Sequence, residues 1–182
     1  MIEIICPESC EHLRTGREYE TSQEYRRYLR LADEAARGRY YRILSQHEDA
    51  VSYFELLIAE ERRQARGLTD KDLVEALDLI IATLRTEGSG LLYERTSDNL
   101  RVEALRRALS QGVHFLRYPS DPNVERLPLK DVTDCLELVR GMAASHCLPR
   151  AAPQSYVDFL ARNMPRANGA PDSQSRIIIP GV

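Results

Sequence analysis

Leu68-Thr69-Asp70-Lys71-Asp72-Leu73-Val74-Glu75-Ala76-Leu77-Asp78-Leu79-Ile80-Ile81-Ala82-Thr83-Leu84-Arg85 is the stretch that decides the fold. Thr69 and Asp72 have the spacing of a capping box, with an acid one methylene shorter than the usual Glu, and Leu68 can staple to Leu73 across the first turn. Leu73, Leu77, Ile80, Ile81 and Leu84 recur at three-and-four spacing and share one helix face, with Asp70, Lys71, Glu75, Asp78 and Arg85 largely opposite. Gly88 closes the helix.

Upstream, Ser45 and Glu48 form a second box. It opens an apolar stripe of Ala50, Val51, Phe54, Leu57, Ile58 and Ala65 that stops at Gly67. The short turn between the stripes predicts an antiparallel helical hairpin. Thr21 with Glu24 opens a further helix carrying Tyr25, Tyr28, Leu29, Ala32 and Ala35 on one face, interrupted at Gly38. Downstream, helices are expected after Asp98 (Val102, Leu105, Leu109), from Asp131 (Cys135, Leu136, Val139, Met142, Ala143) and from Ser155 to Asn163 (Tyr156, Phe159, Leu160). The prediction is an all-α, single-domain bundle of five or six helices over residues 1–164, in which 1–20 are an extended or loop segment. Residues 165–182 read as a Pro/Gly/Ser linker and an Ile-rich tail.

The ends of the chain carry two short apolar runs, Ile2, Ile4 and Ile5 at one end and Ile177, Ile178 and Ile179 at the other. Two outcomes suit the tail: a minimal two-stranded pairing with the N-terminal run, or addition as a strand to another protein or a second copy of this one. Burying three isoleucines gains on the order of 5 to 9 kcal/mol, and ordering the segment costs a similar amount, so a supporting partner decides the balance.

With 43% hydrophobic and 29% charged residues among 182, the chain has the composition of a globular protein able to bury a core. A formal net charge of −3 makes nucleic acid an unfavoured partner. Charge is uneven: residues 45–100 hold 12 acids and 6 bases, residues 101–182 hold 8 acids and 11 bases. Neither a basic, apolar N-terminal leader nor a stretch of roughly 20 apolar residues is found, so the expected setting is cytoplasmic, with no membrane partner and reduced cysteines. Of the 25 basic residues only Lys71 and Lys130 are lysine, which reads as coding bias rather than chemistry.

Cys6-Pro7-Glu8-Ser9-Cys10-Glu11-His12 is the sharpest local motif. Its two thiols are spaced to converge on a tetrahedral ion, which makes zinc the expected cofactor. Cys6, Cys10 and His12 with Cys147 complete a ligand set, His146 being the alternative fourth. The competing reading treats the cysteines as small hydrophobes, as Cys135 is on its helix face. Carboxylate-bridged metal sites need Glu three residues before His, but Ser9, Leu44, Gln111 and Ala143 stand there. His47-Glu48-Asp49-Ala50-Val51 lacks the second His of a metalloprotease helix, and Gly88-Ser89-Gly90 is too short for a phosphate loop.

Residues 14–42 hold eight arginines and five of the nine tyrosines, interleaved with five acids. Such a segment can face solvent with its rings turned inward, or it can anchor a protein partner, with Tyr25 and Tyr28 as the contact rings, or weakly bind RNA. The acidic face of residues 48–78 reads as solvated surface. The expected function is a non-enzymatic helical protein-interaction module using Tyr25, Tyr28 and Ile177 to Ile179, with a protein partner or self-association. The alternatives are a metal sensor or enzyme at the Cys/His motif and weak RNA binding.

Overall fold

A computed structural model describes residues 3–6, 11–90, 94–120, 125–148, 155–166 and 175–178; residues 3–6, 11–14, 17–18 and 175–178 are described in backbone only. Six helices form an all-α bundle: α1 (Glu11–Leu31), α2 (Glu34–Gln64), α3 (Asp70–Gly88), α4 (Leu100–Arg117), α5 (Leu129–His146) and α6 (Tyr156–Asn163). Two short strands flank them, β1 (Glu3–Cys6) and β2 (Ser175–Ile178).

The hairpin predicted from the opening stretch is not formed: α2 and α3 follow each other through a short turn but pack on shared neighbours rather than on each other. Thr69 accepts from the Asp72 amide at 3.2 Å, and the Asp72 carboxylate accepts from the Thr69 amide at 2.9 Å, so the box is reciprocal. Leu73, Leu77, Ile80, Ile81 and Leu84 are all buried, as their spacing requires. α2 is the central helix, packed on α4, α5 and α6, while α3 packs on α4 and α5 and α1 lies on α5. The core runs through Phe54, Ile58, Leu73, Leu77, Leu105, Leu109, Leu136, Met142 and Leu160.

Two close approaches depend on missing side chains. A Cβ at Gly112 would meet Leu57 at 2.6 Å, so α4 crosses α2 at a distance only glycine permits. A Cβ at Gly141 would lie 3.0 Å from the Tyr28 hydroxyl, so the ring of α1 sits directly on the backbone of α5.

Four features of the helix boundaries differ from the sequence reading. α1 begins at Glu11 rather than Thr21, so half of the segment expected to be extended is helical. Gly38 does not interrupt α2, whose N-cap is Asp33, its side chain accepting from the Ala36 amide. Ser45 and Glu48 do not start a helix either: they flank a kink at His47, where φ is −140° and ψ is 32°. α5 starts at Leu129, two residues before Asp131.

The chain ends meet. β1 and β2 pair antiparallel with Glu3 opposite Ile178, Ile4 opposite Ile177, Ile5 opposite Arg176 and Cys6 opposite Ser175. Ile179 lies outside the described residues.

Candidate functional site

Glu55 is on the buried face of α2. It follows Val51 by four residues and precedes Ile58 by three, so the periodicity that buries those side chains buries the carboxylate too. Only 1% of it is exposed. Its Oε1 accepts from the Tyr156 hydroxyl at 2.7 Å, while Oε2 has no hydrogen-bond partner. Burial pushes the Glu55 carboxyl up to about 7, and the bond from Tyr156 offsets part of that rise.

Tyr156, on α6, is fully buried. Its hydroxyl is raised by burial first, then by the neighbouring Glu55 and by Tyr25. The ring lies 5.4 Å from the imidazole of His146 on α5, whose Nε2 is 2.9 Å from the Glu24 carboxylate on α1. Arg27 on α1 donates to the Ser145 carbonyl of α5 at 3.1 Å. Tyr25 extends the cluster: burial, then Glu55, Tyr40 and Glu48, keep its hydroxyl protonated well above the ordinary phenol range. A chain of polar groups thus joins α1, α2, α5 and α6 through the bundle.

Asp70 positions the α6 end of this chain. From the first turn of α3 its carboxylate accepts from the Tyr156 amide at 3.1 Å and the Val157 amide at 2.9 Å. Ser155 caps the Asp158 amide at 3.2 Å. The start of α6 is therefore satisfied by another helix as well as by its own N-cap.

A carboxyl near 7 against a tyrosine hydroxyl has the protonation balance of a general acid–base pair. The geometry withholds that role, since with Glu55 1% and Tyr156 0% exposed no substrate atom reaches either group. The cluster ties α2, α3 and α6 together. Of the acidic face expected to be solvated, Glu48, Asp49, Glu75 and Asp78 are exposed, but Glu55, Asp70 and Asp72 are buried. The signal was present in the sequence as an acid inside the apolar stripe of α2.

The predicted partner rings turn toward the protein. Tyr28 is buried and Tyr25 half-buried, both against Tyr40, at centroid separations of 6.1 and 5.8 Å. Tyr19 and Tyr41 are the exposed rings of that segment. Its arginines reach other helices: Arg39 pairs with Glu137, and Arg42 with Asp134 at 2.6 Å.

Of the expected metal ligands, Cys6 is placed in β1, with its side chain outside the described residues, as is that of His12 in α1; Cys10 lies wholly outside them. Cys147, the C-cap of α5, is exposed beside Lys71, Val74 and Glu75 of α3, and burial, then Asp70, holds its thiol above the ordinary range. His146 points the other way, into the Glu24 pair. Among the described residues no three His, Cys, Asp or Glu side chains are placed to hold a metal ion, and no helix is long and apolar enough to cross a membrane.

Comparison with protein-family models, with curated proteins and with solved structures finds no match to this chain.

Proposed function

We propose that this chain is a non-enzymatic protein-interaction module, a helical scaffold that takes up a strand from a protein partner on the β1–β2 ribbon. The observation that carries this reading is the ribbon itself. Among the described residues β1 and β2, of four residues each, pair only with one another, so each is also an edge with outward backbone N–H and C=O groups. A two-stranded ribbon is marginal alone and gains from a third strand, which is the physical basis of strand addition. The helical domain supports the reading from the other side: its acid–base cluster is sealed from solvent and holds helices together.

The test compares the full chain with a chain ending at Arg166, and with Ile177→Pro, which removes a backbone donor from β2. The expected result is a partner retained by the full chain and released by both variants, while circular dichroism shows the helical fold unchanged. Sedimentation of the purified chain identifies a second copy as that partner where the mass doubles. A chain ending at Arg166 that keeps every partner of the full chain would refute the proposal.

A further inference from the structure

We infer that the C-terminal turn of α2 and the outer face of α6 form a binding site for the phosphate chain of a small polyphosphorylated molecule. Arg62, Arg66 and Arg162 surround a shallow depression of about 570 Å³ whose lining also includes Arg63, Ser155 and Asp158. Four guanidinium groups thus face one carboxylate. The arrangement is independent of the terminal ribbon.

The four arginines are not equivalent. Arg63 is consumed by structure: it donates to the Ala161, Met164 and Pro165 carbonyls at the end of α6 and to Glu60. Arg62 is held against Asp158, its Nε 2.8 Å from Oδ1. Arg66 and Arg162 are exposed and make no hydrogen bond or ion pair with other described residues. Two uncommitted forks therefore border a concavity in which a third is already oriented. Like charges gathered in this way repel unless an anion lies between them, and guanidinium forks match phosphate oxygens in pairs.

The size of the depression favours a chain of phosphates over a single one. Arg62 lies in the last turn of α2 and Arg66 in the turn after the Ala65 cap, and both line the one depression of about 570 Å³. Arg162 approaches from α6 on the other side. A single phosphate fills one such position, whereas a di- or triphosphate spans them. A nucleic-acid backbone is the less fitting source, because a long polyanion needs a basic stripe. Here the depression is a local concavity with Asp158 in its lining, in a chain of net charge −3.

The experiment is titration calorimetry of the full chain with inorganic tripolyphosphate at low salt. The control is Arg26→Ala, an exposed arginine on α1, and the test variant is the double substitution Arg66→Ala/Arg162→Ala. Both substituted side chains are exposed, so thermal melts are expected to be unchanged. The expected result is one saturable site per chain, weakened at least about tenfold in the double variant, unchanged in the control, and weakening as salt rises. No saturable binding, or equal affinity in wild type and double variant, overturns the inference. So does a single-stranded RNA oligonucleotide that binds more tightly than tripolyphosphate and loses affinity in the same variant, since it would assign the patch to nucleic acid.

Discussion

Replacing Glu55 with Gln tests whether the buried carboxyl is set by its surroundings as the geometry requires. In the folded protein Glu55 titrates near 7, against an ordinary value of 4.5. Between those values the folded state keeps a proton that the unfolded chain has released. Stability therefore falls as pH rises through the window and levels off above it, the opposite sense to a salt-bridged carboxylate. A displacement of that size is worth about 3 kcal/mol, of which about 2 to 3 kcal/mol is expressed between pH 5 and pH 8. The titratable groups that interact with Glu55 are the hydroxyls of Tyr25, Tyr40 and Tyr156, all raised and so neutral throughout. Asp72 and Glu103, held below the ordinary carboxylate range by their hydrogen bonds, lose their contribution only as pH falls below that range, outside the window. Gln keeps an acceptor for Tyr156 but places amide donors where Oε2 has no partner, a cost of about 1–3 kcal/mol that does not vary with pH. Urea unfolding of both proteins from pH 5 to 8 separates the two effects, and the difference between them cancels titrations common to both. The wild-type advantage should shrink by about 2 to 3 kcal/mol across the series. A difference that stays constant to within about 0.5 kcal/mol would mean that Glu55 is not destabilised by burial at all.

Tyr156→Phe removes the one hydrogen bond made to Glu55 and should destabilise by about 1–3 kcal/mol, more at pH 8 than at pH 5; an equal loss at both would disconnect the tyrosine from the carboxyl's titration. Asp70→Ala orphans two buried amides at the start of α6 and should cost about 2–4 kcal/mol, with faster hydrogen exchange at Tyr156 and Val157; unchanged protection there would show that Asp70 does not cap the helix. Gly38→Ala adds a methyl into open space inside α2 and should raise stability by about 0.5–1 kcal/mol in thermal melts. Gly112→Leu, forced against Leu57 at the α2–α4 crossing, should lower it by about 1–3 kcal/mol or more, and a neutral outcome would mean the two helices are not held as close as they stand.

Where an element buries a regular face and carries its own cap, its position was readable from the residues. α3 is the clearest instance: Thr69, Asp72 and the Leu73–Leu84 stripe supply start, face and direction together. The first ten residues of α1 gave no such signal: the sequence there, Glu11-His12-Leu13-Arg14-Thr15-Gly16-Arg17-Glu18-Tyr19-Glu20, has only Leu13 and Tyr19 as large apolar residues and so no apolar period to read. At Ser45 and Glu48 the pattern is that of a capping box, but the Ser45 hydroxyl donates to the Arg42 carbonyl of the preceding turn instead. The chain leaves helical geometry at His47 and resumes it at once, with the His47 Nε2 3.6 Å from Asp131 of α5. Glu55 was the opposite failure: its spacing placed it inside, and only its charge argued for the surface. Periodicity won because Tyr156, a hundred residues later, supplies the donor, and no local window contains that information.

The arginine bias acquires a meaning from the same distances. Arg63 satisfies three carbonyls and a carboxylate, Arg106 holds Glu103 through two nitrogens and Glu94 through a third, and Arg117 donates to both oxygens of Glu87. A lysine presents a single ammonium and could not hold the partners that Arg63 and Arg106 reach from several nitrogens at once, whatever the origin of the bias. Arg140 grips Asp78 in the same two-nitrogen way, while Arg85 reaches Glu137 through one nitrogen. Arg66 and Arg162, like Arg26 and Arg30, make no such contact with other described residues, but they stand at the same depression as two arginines that do. A phosphate chain there, as proposed above, would give them the oxyanion partners that Asp158 gives Arg62 and Glu60 gives Arg63.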